Sequence, residues 1–415
     1  MKKLVITGGV RLSGEADIGG FKNAALPILY ATILTSDISV IGNLPQIRDV
    51  TETLAILRAI GAVVVLPDPH TVLIDTRAVV PCRSPDAAVS SLRASSYLLG
   101  AELGRFGRTR VASPGGCRIG ARPLDYHVRV LEALGARVRE EGAVISAEAA
   151  GLCGAELTLP GPSVGATVNA ILASVLAEGE SHIIGAAREP HIVDLCRYLR
   201  AAGARIEGDG TSCITVRGVS ALHGASHRLM PDMIEAGTLL TAVGAAGGEI
   251  ALHGAEPAHL TALIGPLTAM GMEIRSEGDA LIASRMGLLA PFDLIAGPYP
   301  AFPTDMHPQL AALATLTTGK STLCDTVFPD RFAYVRELRR MGAVIGASGG
   351  RVEIAPSRLH GAHVRATDLR AGAALAVAAL AARGKTVILD AAVLERGYED
   401  LAGKLRALGA TVEAR

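Results

Sequence analysis

A thiol set among glycines and arginines is the stretch with the most chemical potential: Gly115-Gly116-Cys117-Arg118, with Arg122 and Pro123 just beyond. Fixed positive charge beside a cysteine favours the thiolate, so the group can attack or trade a proton near neutrality. Paired glycines let a ligand come close to the backbone. The same stretch also reads as a Gly/Pro surface loop that happens to hold a cysteine. Other polar residues gather at two kinds of place. Lys22, Asn23, Arg93, Ser163, Asp305 and Arg370 stand at the starts of apolar, helix-patterned stretches. Arg48, Asp49, Arg188, Glu189, Asp330, Arg331, Glu395 and Arg396 stand in loops ahead of amphipathic ones. Helix N-termini present free N–H groups and attract anions. A cation there opposes the dipole, so Lys22, Arg93 and Arg370 cost stability until an anionic ligand arrives; each alone also reads as a solvated charge. As a set they favour a substrate with phosphate and carboxylate groups, which arginine forks suit. Asp305 reads as a helix N-cap or as a general base. His127 reads as a core histidine or as a partner of Cys117.

The elements that must hold these residues repeat. An amphipathic helix ending in glycine, followed by a strand-like run, occurs six times, with glycines at Gly61, Gly135, Gly203, Gly271, Gly342 and Gly409. Each glycine falls where a helix C-cap needs a left-handed residue, and the copies lie 67 to 74 residues apart. Ahead of each is a second helix, apolar on most faces and therefore buried. These start near Lys22, Leu92, Ser163, Asp232, Thr304 and Leu369. The repeat predicts an α/β protein with two cores of three units. Ile18–Phe21 and Ser226–Pro231 are the natural crossings between them.

Bulk composition narrows the partners. The chain has 415 residues, long enough for two domains, and 40 basic residues balance 40 acidic ones. No global field draws it to nucleic acid or to a membrane surface. Aromatic residues are 3 % with no Trp, too few for base-stacking platforms. The six cysteines are scattered without a CxxC, so neither a disulfide framework nor a zinc site is expected. The apolar run Leu4–Ile6 is too short for a signal peptide, and Ala371–Ala382 is too short to span a bilayer. A cytoplasmic protein without membrane insertion is expected. No P-loop or strand-linked GxGxxG appears, and no metal or cofactor is implied.

Taken in order along the chain, Phe21–Leu29, Ser113–Pro123, Ser163–Thr167, Ala301–Met306, Ala366–Arg370 and Arg396–Glu399 resemble the enolpyruvyl transferases that act on UDP-N-acetylglucosamine. The resemblance implies two inside-out α/β barrel domains of three βαβαββ units each, with a cleft between them. Residues 21–230 would form one domain; 1–20 plus 231–415 would form the other. It implies transfer of enolpyruvate from phosphoenolpyruvate to the 3′-hydroxyl of UDP-N-acetylglucosamine, the first committed step of peptidoglycan synthesis. Cys117 would deliver the proton to carbon, and Asp305 would take one from the hydroxyl. Lys22, Arg122, Arg331, Arg370 and Arg396 would face phosphoenolpyruvate, with Lys22 and Arg396 counted as catalytic. Asn23, Arg93, Arg122, Pro123, Leu124, Asp125, Tyr126, Ser163, Val164 and Val327 would face the sugar nucleotide. Two departures stand out. Gly161-Pro162 replace a usual lysine two residues before Ser163, and His191 replaces an acidic residue after Pro190. The alternatives are a 5-enolpyruvylshikimate-3-phosphate synthase type of transferase and a silent sugar-nucleotide-binding paralogue. The first has no Gly-Gly-Cys-Arg loop, and its Gly-Asn-Ala-Gly-Thr-Ala segment is absent here. The second is disfavoured by the joint presence of Lys22, Cys117, Asp305 and Arg396.

Overall fold

The computed structural model describes residues 2–112, 115 and 124–415; Cys117, Arg122 and Pro123 lie outside the described residues. All six predicted glycines take positive φ, from 85° to 108°, and close the amphipathic helices Arg48–Ala59, Asp125–Ala133, Pro190–Ala201, Thr261–Ala269, Ala333–Arg340 and Leu401–Ala407. A side chain there would be strained whatever space surrounds it, which is why the repeat keeps glycine. The six apolar helices are Lys22–Ala31, Tyr97–Phe106, Val164–Ser174, Met233–Ala246, His307–Ala314 and Leu369–Ala381, and most residues in each are buried. Two of them are entered through a tighter 3-10 turn, Arg93–Ser96 and Thr304–Met306, both carrying candidate residues.

The described residues fall into two compact units: 2–19 with 231–415, and the described part of 20–230. In the first unit, Asp232 N–H donates to Gly19 O at 2.8 Å; in the second, Phe21 N–H donates to Met230 O at 2.9 Å. Each unit thus joins its own ends of the two crossing segments by a backbone bond. Three sheets belong to each unit, and five of the six have four strands. In those five, the strand following the buried helix pairs in parallel with an edge strand on one side and antiparallel with a strand on the other. Lys385–Leu389, for example, pairs with His363–Arg365 on one side and Lys3–Thr7 on the other.

The second repeat departs from the expected pattern. Among the described residues its strand Arg108–Ala112 pairs only with Val144–Glu148, in a three-stranded sheet. The segment that should supply the parallel strand is interrupted by Pro81 and Pro85, which cannot donate to a ladder. It forms the short helix Asp86–Ser91 instead, with Asp86 bridged to Arg110 at 3.1 Å. Glu102, wholly buried, fills the gap with a carboxylate. It accepts from Thr109 Oγ1 at 2.8 Å and from the N–H of Cys82 at 3.3 Å, and is also bonded by the N–H of Arg110. Burial pushes its acid up from 4.5 to about 7, against the opposing pull of those three donors. Between these values the folded chain holds a proton that the unfolded chain gives up. The stability tied to Glu102 is therefore full below pH 4.5 and is lost as pH rises through 7, by about 3 kcal/mol. Glu102→Gln should flatten that fall; equal urea-unfolding differences between pH 5 and pH 8 in variant and wild type would refute it.

Candidate active site

In the first unit two of the candidate residues, Arg331 and Arg370, converge on the carboxylate of a third, Asp305. Asp305 lies in the 3-10 turn Thr304–Met306 and makes no capping bond, so the N-cap reading fails. Its Oδ1 accepts from Arg331 Nη1 at 2.8 Å and its Oδ2 from Arg370 Nη2 at 2.9 Å. The two guanidinium side chains are 5 % and 3 % exposed, while Asp305 keeps 27 %, so the carboxylate is the part that solvent reaches. Arg370 lies 5.5 Å over the Tyr398 ring, and Arg331 lies 5.8 Å over that of Phe328. Asp368 caps the helix Leu369–Ala381, accepting from the N–H of Arg370 at 2.9 Å and of Ala371 at 3.1 Å. It also stands 3.8 Å from Arg331 Nη2.

Burial alone would raise the Asp305 acid, but Arg370 and then Arg331 outweigh it and hold it far below the usual carboxylate range. Arg370 is held more firmly protonated, because Asp305 overcomes the opposing effect of burial. Asp232, the N-cap of Met233–Ala246, is pushed by burial to about 7, with Arg370 pulling the other way. Two donors of the cluster, Arg331 Nε and Arg370 Nη1, are buried with no partner among the described residues. Buried donors are seldom left unsatisfied. Free guanidinium edges beside a partly exposed site suit the oxygens of a phosphate or carboxylate. Arg396, half-buried, ends the 3-10 stretch Ala391–Arg396, and Val327 follows the strand Ser321–Asp325.

The second unit holds its own set. Lys22 opens the first buried helix and pairs with Asp49 Oδ2 at 2.5 Å, with side chains 15 % and 2 % exposed. The sequence makes Lys22 and Arg370 look uncompensated at their helix starts; the structure corrects this, because each faces a carboxylate. Lys22–Asp49 and Asp305–Arg331 occupy matching places in their repeats with the charges exchanged. Asn23 follows Lys22 in the same helix, and Arg93 lies in the 3-10 turn Arg93–Ser96. Ser163 caps Val164–Ser174, its Oγ accepting from Ala166 N–H at 3.4 Å. Leu124 precedes the helix that Asp125 and Tyr126 begin.

His127 is buried and hydrogen-bonded within the second unit, while Cys117, the other partner considered for it, lies outside the described residues. Asn169 Oδ1 accepts from Gly100 N–H at 2.8 Å, so the Asn169 amide nitrogen faces Ser96 O at 3.0 Å and His127 Nδ1 at 2.6 Å. That assigns the ring proton of a neutral His127 to Nε2. A Cβ at Gly161 would have none of the described residues within 4 Å, so it is not close packing there that calls for glycine among them. His191 packs edge-on to Phe21, ring centres 5.4 Å apart, directly behind Lys22. Sequence reasoning does not find Asp325, Asp368 or Asn169. The signal available for Asp325 is positional: a carboxylate ending a strand, directly ahead of the loop with Val327 and Arg331.

Two units built from repeated strand–helix elements, with cation–carboxylate groups at the helix starts, match the build expected of the carboxyvinyltransferases. The chain belongs to the EPSP synthase (3-phosphoshikimate 1-carboxyvinyltransferase) family, whose model matches residues 6–405. Within that class its relatives carry another name. It is 45 % identical to the UDP-N-acetylglucosamine 1-carboxyvinyltransferase of Gluconacetobacter diazotrophicus, over 100 % of this chain and 99 % of the relative. Identity to the enzyme of that name from Nitratidesulfovibrio vulgaris strain Hildenborough is 46 %, over 99 % of each chain. Among solved structures, the enolpyruvyl transferase NikO from Streptomyces tendae superposes with a TM-score of 0.90 at 27 % identity, over 100 % of this chain and 99 % of that one. An EPSP synthase from Acinetobacter baumannii, covering 100 % of both chains, has a TM-score of 0.76 at 18 % identity, a likeness of fold alone. The chain is an enzyme, a transferase.

Proposed function

We propose that this chain transfers the enolpyruvyl group of phosphoenolpyruvate to the 3′-hydroxyl of UDP-N-acetylglucosamine, releasing phosphate and committing the sugar to peptidoglycan synthesis. Full-length relatives of that name at about 45 % identity support the substrates. The observation that carries the mechanism is Asp305 held between Arg331 and Arg370, with guanidinium donors left over.

The reaction is an addition followed by an elimination. In the addition, Cys117 protonates the methylene carbon of phosphoenolpyruvate, the sugar oxygen bonds to the adjacent carbon, and Asp305 takes the hydroxyl proton. In the elimination, the new methyl group gives up a proton and the carbon–oxygen bond to phosphate breaks. Arg331 and Arg370, with Lys22, Arg122 and Arg396, neutralise the phosphate and carboxylate and stabilise developing charge. Asp305 is a feeble base while both guanidiniums hold it. An incoming phosphate or carboxylate draws on the same donors, which weakens their hold and raises the basicity of Asp305 when the hydroxyl must be deprotonated. Asn23, Arg93, Leu124, Asp125, Tyr126, Ser163, Val164 and Val327, with Pro123, form the sugar-nucleotide side. Without a lysine at Gly161, the diphosphate relies on backbone N–H groups there. Both substrates belong to cytoplasmic metabolism, where the enzyme works.

Phosphate release from phosphoenolpyruvate, with UDP-N-acetylglucosamine or shikimate 3-phosphate as acceptor, tests the assignment. Release with the sugar nucleotide alone is expected, and release with shikimate 3-phosphate alone would overturn it. Cys117→Asp should keep part of the turnover and lose sensitivity to fosfomycin, a small phosphonate that mimics phosphoenolpyruvate. A carboxylic acid still donates a proton but is not alkylated as a thiolate is. An unmodified wild-type Cys117 peptide after drug treatment, read by mass spectrometry, would count against the thiol's role.

A further inference from the structure

The Asp305–Arg331 pair is built from two separate pieces of chain, and one buried carboxylate ties both. Asp325 ends the strand Ser321–Asp325 and is 3 % exposed. Its Oδ2 accepts from Thr304 Oγ1 at 2.6 Å, and Thr304 is the residue directly before Asp305. Its Oδ1 accepts from the N–H of Val327 and of Phe328, each at 2.9 Å. Phe328 O in turn accepts the N–H of Arg331 at 3.1 Å, closing the turn that delivers the arginine. A second tie runs on the far side of the pair. Tyr334, three residues beyond Arg331, bonds through its hydroxyl to Nδ1 of His307, two residues beyond Asp305, at 3.1 Å. Both residues are 1 % exposed. The pair is therefore bracketed before and after by cross-links between the same two segments.

Resting on the reading of function above, we propose that Asp325, acting through Thr304, is a positioning residue that sets the distance and angle between Asp305 and Arg331. Its three bonds leave the carboxylate no freedom to follow a displaced loop. The Thr304 bond is short and charge-assisted, the kind that fixes geometry. Among the described residues the Thr304 hydroxyl bonds to Asp325 and to neither guanidinium, so it can be removed without taking a bond from Arg331 or Arg370.

The test compares Thr304→Val, which keeps the shape and loses the hydroxyl, with Thr304→Ser, which keeps it. Thr304→Val should lower kcat by about a hundredfold, the scale of a misplacement near 1 Å. KM for UDP-N-acetylglucosamine should hold. The acid limb of the kcat profile should move to higher pH as Asp305 loosens from Arg331. Thr304→Ser should restore both, with both variants unfolding at the same temperature. Asp325→Asn, which still accepts from Val327 and Phe328, should fall between. Wild-type kcat in Thr304→Val, or equal impairment in Thr304→Ser, would overturn the proposal. Wild-type protein without turnover would instead refute the assigned reaction. The proposal then stands or falls on the carbon-13 titration of the Asp305 carboxyl, identified with Asp305→Asn, which should shift upward in Thr304→Val.

Discussion

Asp305→Ala will lose nearly all turnover, by roughly 10²- to 10⁴-fold, the range of a general base. It will also melt earlier in phosphate-free buffer. The second effect follows from what remains: Arg331 and Arg370, 5 % and 3 % exposed, facing each other with no carboxylate between them. Removing one partner of a buried ion pair costs about 3–5 kcal/mol, and the 27 % exposure of Asp305 places the loss at the lower end. Inorganic phosphate should recover part of the melting temperature in the variant, because an anion that binds only the folded state stabilises it by mass action. The wild type should gain less, since Asp305 already occupies those donors. Asp305 lies below its ordinary 3.8, so its contribution to stability is full above that value and is lost as pH falls toward its folded-state value. The melting difference between variant and wild type should therefore be constant from pH 5 to pH 8. A variant that keeps its turnover, or melts like the wild type at all phosphate concentrations, would remove Asp305 from the centre of the site.

Arg370→Ala is expected to act on substrate binding and on the pH profile together. Its guanidinium is the stronger of the two that depress Asp305, and it keeps a buried Nη1 without a partner among the described residues. Losing hydrogen bonds to a charged ligand should raise KM for phosphoenolpyruvate roughly a hundredfold, or about 3 kcal/mol. With Arg370 gone, the Asp305 acid rises toward the ordinary range, so the acid limb of kcat/KM should move to higher pH. Arg370→Lys keeps the charge but not the planar fork, and should repair the pH profile better than KM. An unchanged KM in Arg370→Ala, with the protein folded by circular dichroism, would exclude Arg370 from the phosphoenolpyruvate side.

Much of the architecture was legible because it rests on local demands repeated six times. A left-handed residue must close each amphipathic helix, and a helix apolar on all faces must be buried, so Gly61 through Gly409 and the six buried stretches are readable one by one. The three-stranded second sheet was less legible. Edge pairing is long-range, as between Ser226–Arg228 and Ile38–Gly42, and nothing local announces that Glu102 replaces a strand. Site residues were legible as types and positions, but their partners were not. The carboxylate that compensates Lys22 lies in the next helix, and the one that compensates Arg370 lies 65 residues away. Asp325 ends a strand like any turn residue, and only the fold brings Thr304 to it.

The arrangement of strands at the N-terminus bears on how the chain is made. Leu12–Asp17 pairs with Gly248–His253, and Lys3–Thr7 lies between Lys385–Leu389 and Thr411–Ala414. Lys3–Thr7 must therefore wait for Lys385–Leu389 and Thr411–Ala414, which are made far later. At ordinary synthesis speeds that wait is roughly 20 to 80 s. During it Leu4 and Ile6, both buried in the finished sheet, are exposed on a strand with neither edge paired. The unit holding residues 20–230 needs no such late arrival. During synthesis the chain thus carries one unit with all its described strands already made and, ahead of it, an apolar strand that stays unpaired until its late partners emerge.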